Sequence, residues 1–178
     1  LLATSYVWQT TRDADGARFD NAVQLTRDAI NSRLDTYINV LTATRGLMAS
    51  DPALPLHDLR DYIRSHEVQR RYPGIQGIGL SLRMPAEDVK QLEAEMRREG
   101  FADFHVWPRE SGPERHAIVL MEPMDRRNSA ALGYDMFTNP VRREAMSRAR
   151  DTGLSAASGH VTLVTGSKQS GFLIYTPI

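Results

Sequence analysis

Through the first third of the chain apolar residues recur every three, four or seven positions, at Val23, Ile30, Leu34, Tyr37, Leu41 and Met48. Between Asp13 and Met48 there is no proline, and only Gly16 and Gly46 interrupt the run. That spacing puts one apolar stripe on a helix. Arg27 and Thr44 stand where a strict heptad would carry apolar residues, so the stripe is a packing face and not a strong zipper. A helix over 13–48 would span about 54 Å. A compact domain made from the remaining roughly 130 residues would be only about 36 Å across. The helix is therefore expected to overshoot the domain, as a stalk or a dimer element.

Beyond residue 50 the pattern changes. "DPALPLHDLRDYIRSHEVQRRYPG", 51–74, sets three prolines around a short helix with Leu59, Tyr62, Ile63 and His66 at helical spacing. "IQGIGLSLRM", 75–84, alternates Ile78, Leu80, Leu82 and Met84 with small or polar residues and reads as a strand. A helix is predicted over 85–100, with Val89, Leu92 and Met96 on one face and Gly100 as its stop. Strands follow at 101–108 and 115–123, joined by the turn "RESGPE", then a loop and a helix over 132–153. In that helix Asn139 caps, Pro140 starts and Gly153 ends, with Val141, Ala145 and Ala149 as the expected buried side. Strands at 158–165 and 171–178 read as a closing hairpin. The class is α+β, with a five-stranded antiparallel sheet and helices packed on it. The expected organisation is a stalk helix over 1–50, a helical linker over 51–74 and a ligand-binding domain over 75–178.

Composition narrows the function. Lys plus Arg and Asp plus Glu number 22 each, so net charge recruits neither nucleic acid nor an acidic membrane. With no cysteine there is no disulfide, thiolate nucleophile or cysteine zinc site. At 41% hydrophobic and 25% charged residues the chain is an ordinary globular one. "LLATSYVW", 1–8, is apolar, with Tyr6 and Trp8 of the kind enriched at membrane interfaces, and is read either as the outer end of a transmembrane helix or as an ordinary helix start.

No catalytic constellation emerges. "GIQGIG", 74–79, lies in a strand and lacks the dinucleotide spacing, so its glycines are expected to let strands approach closely. "GSKQSG", 166–171, has its lysine before the second glycine and is a hairpin loop, not a phosphate cradle. The five histidines make no helical i,i+4 pair, and no G-x-S-x-G is present. Neither a metal nor a cofactor is expected. Arg142, Arg143, Arg148 and Arg150 read as a solvated helix face. Asp135, in the loop before that helix, is expected to organise the loop by hydrogen bonds to its own backbone or to an arginine. A catalytic Asp135 is the competing reading.

In this order the chain resembles the CHASE domain, a sensory extracellular module of membrane receptors. The likeness is carried by "YPGIQGIGLSLRMP" at 72–85, "EGFADFHVWP" at 99–108, "VLMEPMDRRNSAALGYD" at 119–135, "PVRREAMSRARDTG" at 140–153, "SGHVTLV" at 158–164 and "GFLIYTPI" at 171–178. It implies a stalk helix followed by two PAS-like domains, with ligand in the membrane-distal one, which here spans 75–178. Most of the second, membrane-proximal domain would lie outside this sequence. It further implies the periplasmic or extracellular part of a plasma-membrane receptor with a histidine kinase or diguanylate cyclase as output. In the plant members, which are cytokinin receptors, an acid at the start of the third strand bonds the ligand's adenine, and Glu114 corresponds. A plain turn glutamate is the alternative. Tyr175 stands where those receptors have threonine and His160 where they have phenylalanine, so a small amphipathic ligand fits better than a cytokinin. With strand neighbours, the expected ligand-binding set is Glu114, His116, Ile118, His160, Thr162, Leu173 and Tyr175. The expected partners are that small molecule, adenine-type or amphipathic, and a second copy of the chain through the stalk. A ligand-free structural dimerisation module is the competing class.

Overall fold

A computed structural model of the chain describes residues 2–109, 112–164 and 170–178, with side chains from residue 16 onward. The aromatic pair Tyr6 and Trp8, the middle of the 109–114 turn and most of the 166–171 loop lie outside the described residues or side chains. The chain divides into two compact units, Leu1–Leu41 and Thr42–Ile178.

Helix α1 runs Leu2–Ser50. It ends where Pro52 and Pro55 forbid further helical bonds, and Asp51 turns the chain by accepting the Ala53 N–H at 3.1 Å. In the first unit Phe19, Val23, Leu25 and Ile30 are all exposed. Leu25 falls off the predicted stripe, so apolar residues are spread more widely around this helix than the spacing suggested. No helix among the described residues is long and apolar enough to cross a membrane.

The second unit is α+β. Helix α2, Leu56–Ser65, buries Leu59 and Ile63, and Tyr62 meets His66 edge to face with ring centroids 4.7 Å apart. The predicted face is thus the real one. After the single turn of α3, Val68–Arg71, strand β1, Ile78–Pro85, pairs antiparallel with β2, Glu114–Glu122. The glycines before and within β1 allow the approach. A Cβ on Gly79 would sit 2.5 Å from Met121 Sδ, and one on Gly77 would sit 2.9 Å from the Glu122 carbonyl. A register shift between Leu80 and Ser81 skips Val119, a bulge in β2, and alternation along β2 sends Ala117 and Val119 to one core layer and Ile118 to another.

The first layer is Met84, Leu92, Met96, Phe104, Val106, Ala117 and Val119. Leu92 and Met96 come from α4, Val89–Arg98, which Gly100 stops at φ +95°. The second layer is Ile118, Ala131, Met136 and Met146, rimmed by Tyr134, Phe137 and Tyr175. Its lid is α6, Pro140–Thr152, capped by the Asn139 side chain on the Val141 and Arg142 N–H groups and ended by Gly153 at φ +69°. Between β2 and α6 lie the one-turn helix α5, Arg126–Ser129, and a 3₁₀ turn, Met136–Thr138.

Three expectations need correction. Residues 101–108 do not form a strand. Phe104 and Val106 are buried with strand-like alternation, but only Trp107 bridges, to Tyr134, and Pro108 has no N–H to extend the ladder. The described strands make three two-stranded sheets, β1–β2, β3–β6 and β4–β5, and not one five-stranded sheet. Strands β3, Ala156–Ala157, and β4, Val161–Thr162, face β6, Ile174–Tyr175, and β5, Ser170–Gly171. They are one hairpin interrupted at Ser158, whose Oγ accepts the Leu173 N–H at 2.9 Å while its own N–H donates to the Leu173 carbonyl at 2.7 Å. Finally, the buried side of α6 is Arg142, Ala145, Met146 and Ala149, and Val141 is exposed. Arg142 is therefore buried and is not part of the solvated arginine face expected from its charge.

Candidate functional site

Alternation along β2 puts Glu114, His116 and Ile118 on one face. Glu114 is half-buried and pairs with Arg83 at 2.7 Å and with His116 Nε2 at 3.0 Å. These hydrogen bonds, Arg83 first, hold its carboxyl down at about 2. His116 is buried, and its ring stacks on Phe137 with centroids 3.6 Å apart and planes 20° apart. Burial pushes its pKa below the ordinary histidine value, against the pull of Glu114 and Asp135. Ile118 is buried in the second core layer.

Asp135 is fully buried at the edge of β2. One carboxylate oxygen accepts the N–H groups of His116 at 3.0 Å and Phe137 at 3.1 Å, and the other accepts Arg115 Nη1 at 3.3 Å. Its oxygens are occupied with holding β2, the 3₁₀ turn and Arg115 together. This is the organising role expected of it, extended from its own loop to the neighbouring strand.

Arg142 enters the same face from the first turn of α6 and is 3% exposed. Its Nη2 donates to the Thr162 carbonyl at 3.3 Å, and its guanidinium lies 5.3 Å above the Tyr134 ring. The Tyr134 hydroxyl accepts from Thr138 at 3.2 Å. Tyr175, from β6, packs on the same core layer, and its hydroxyl reaches Met136 Sδ at 3.9 Å. Burial lifts its phenol to about 12, with Arg142 acting in the opposite direction.

The expected residues therefore divide. Glu114, His116, Ile118 and Tyr175 gather on or around the second core layer. Thr162 offers only its carbonyl there, and its side chain is exposed. Leu173 is half-buried and pairs through its backbone with Ser158. His160 is exposed and lines a separate surface concavity of about 450 Å³ with Ser158, Gly159, Ser170, Gly171 and Phe172. A second concavity, about 260 Å³, lies between α4 and the 106–109 segment and holds none of the expected residues. Arg142 was missed, yet the positions 142, 145, 146 and 149 have one-face helical spacing, so a signal for its burial was present.

Chemically the face offers hydrogen-bond donors on an apolar bed, a setting that orients a small molecule. No group of three metal-ligating side chains occurs among the described residues. Comparison with known proteins gives one family: residues 55–178 match the model of the CHASE domain. No curated protein matches the chain.

Proposed function

Because the chain belongs to the CHASE domain family, whose members are extracellular sensory domains of signalling receptors and not catalysts, we propose that it binds a small molecule on the buried face of β2 beneath α6. The ligand-contacting residues are His116, Ile118 and Tyr175, with Arg142 added and with Glu114 acting through His116. On this reading the two-stranded sheets are parts of one PAS-like domain, membrane-anchored outside the cell or in the periplasm. The signal passes through α1 to a cytoplasmic histidine kinase or diguanylate cyclase. A ligand drives such a change only as far as its affinities for the two receptor states differ.

The observation that carries the proposal is that buried Arg142 and His116 and half-buried Tyr175 sit around one core layer of Ile118, Met136 and Met146, His116 stacked on Phe137 and Arg142 over Tyr134 of its rim. Burying polar groups costs stability unless they are partnered, and a sensory domain has a use for them that a scaffold lacks. The competing reading, a ligand-free dimerisation module, draws on the filled state of this face, since neither concavity is lined by Arg142 or His116. Thermal-shift titration with neutral purines and small organic acids separates the two. A sensor shows a saturable rise in melting midpoint for some class of compound. A structural module shows none, whatever its state of association.

A further inference from the structure

We infer that the ligand of this face is a small carboxylate, gripped by the Arg142 guanidinium with the Tyr175 hydroxyl beside it; the inference rests on the sensor reading and adds the ligand's charge. Arg142 is 3% exposed, and its buried Nε has no hydrogen-bond partner among the described residues. No carboxylate of those residues forms an ion pair with it; its protein contacts are the Thr162 carbonyl, the Tyr134 ring and the Tyr175 phenol. A cation taken out of water without a counter-ion is strongly destabilising. What the fold leaves unpaired, a bound anion completes.

The geometry favours a planar monoanion. Nε and Nη2 lie along one edge of the guanidinium, and Nη2 keeps a second proton after serving Thr162, so this edge can meet both oxygens of a carboxylate. The Tyr175 hydroxyl, whose acceptor is only a thioether, is a third donor on the same side of the core. Charge balance points the same way. Arg83 is neutralised by Glu114, Arg115 by Asp135 and Arg148 by Glu144. Arg142 alone of these four is without a carboxylate, which suits one negative charge better than a phosphate dianion. Both protein partners on the ribbon side, Thr162 of β4 and Tyr175 of β6, belong to the interrupted hairpin. Entry of the ligand displaces that hairpin from α6, which couples binding to a movement of the domain's edge.

The test uses the whole 178-residue chain and thermal-shift titration with acetate, pyruvate, phenylacetate and benzoate, each beside its uncharged primary amide, together with adenine and inorganic phosphate. The expected result is a saturable rise with at least one carboxylate and none with its amide. Arg142→Lys should weaken that binding about tenfold or more by losing the fork, and Arg142→Met should abolish it. Without ligand, Arg142→Met should melt no lower than the parent, because it removes a buried unpaired charge at similar volume. A rise with adenine or an amide that survives Arg142→Met would overturn the carboxylate inference and leave the sensor standing. So would a response to phosphate alone. A clear fall in the ligand-free midpoint of Arg142→Met would mark the guanidinium as a strut and also overturn it. Silence with every probe would take down both the inference and the sensor reading.

Discussion

At the scale of single residues, Asp135 carries the heaviest structural duty. Two backbone N–H groups and Arg115 converge on a carboxylate with no exposure, and removing one member of a buried pair strands the other. Asp135→Ala should therefore cost about 3–5 kcal/mol in urea unfolding, with Asp135→Asn retaining part of the network and losing less. A catalytic Asp135 predicts the reverse, an Asn variant of unchanged stability. Glu114 and His116 set the acid response. The folded His116 has a lowered pKa, so the unfolded chain binds its proton first and stability begins to fall as pH drops below about 6.5. Glu114, held at about 2 against an ordinary 4.5, adds stability that is complete above 4.5 and is lost as pH falls towards 2. Arg83 and Asp135 are the other charged groups acting on His116. Melting midpoints should thus decline in two stages on acidification, and Glu114→Gln should flatten the lower stage. Of these residues the sequence order made Asp135 readable as an organiser, because an Asp before an Asn-Pro helix start has backbone to bind. Arg142 was hidden by its charge, which outweighs spacing in any reading that expects arginine to seek water.

At the scale of elements, helix ends were the most legible feature. Asn139, Pro140, Gly100 and Gly153 do in the structure what their stereochemistry requires. The segment 101–108 was misread because alternate burial of Phe104 and Val106 is shared by strands and by extended coil pressed on a core. Whether a ladder forms depends on a partner distant in sequence, here the 133–135 edge, and local pattern carries no information on it. That edge rests on Gly133. Its φ is +75°, and a Cβ would overlap the His105 carbonyl oxygen. Gly133→Ala should cost at least ~2 kcal/mol, whereas Gly100→Ala, at φ +95° in open space, should cost about 1 kcal/mol. Chemical denaturation of the two variants side by side measures the difference, and equal losses would remove the 133–135 edge from its supporting role.

At the scale of the whole molecule, α1 and the β2–α6 face are the two features a sensor needs, a transmitting element and a place to bind. The exposed Phe19, Val23 and Ile30 on α1 fit the proposed association with a second copy. Sedimentation equilibrium should show concentration-dependent dimers that weaken when Val23 and Ile30 are both changed to Gln, and a chain that stays monomeric at every concentration would end that proposal. The central claim is that a small molecule binds against β2 beneath α6. Amide hydrogen exchange of the chain, with and without the compound giving the largest thermal shift, tests it most directly. The account predicts slowed exchange at 114–118, in the first turns of α6 and at 173–175, with α4 unchanged. Protection confined to the His160 concavity or to α4, or none at saturating compound, would contradict it.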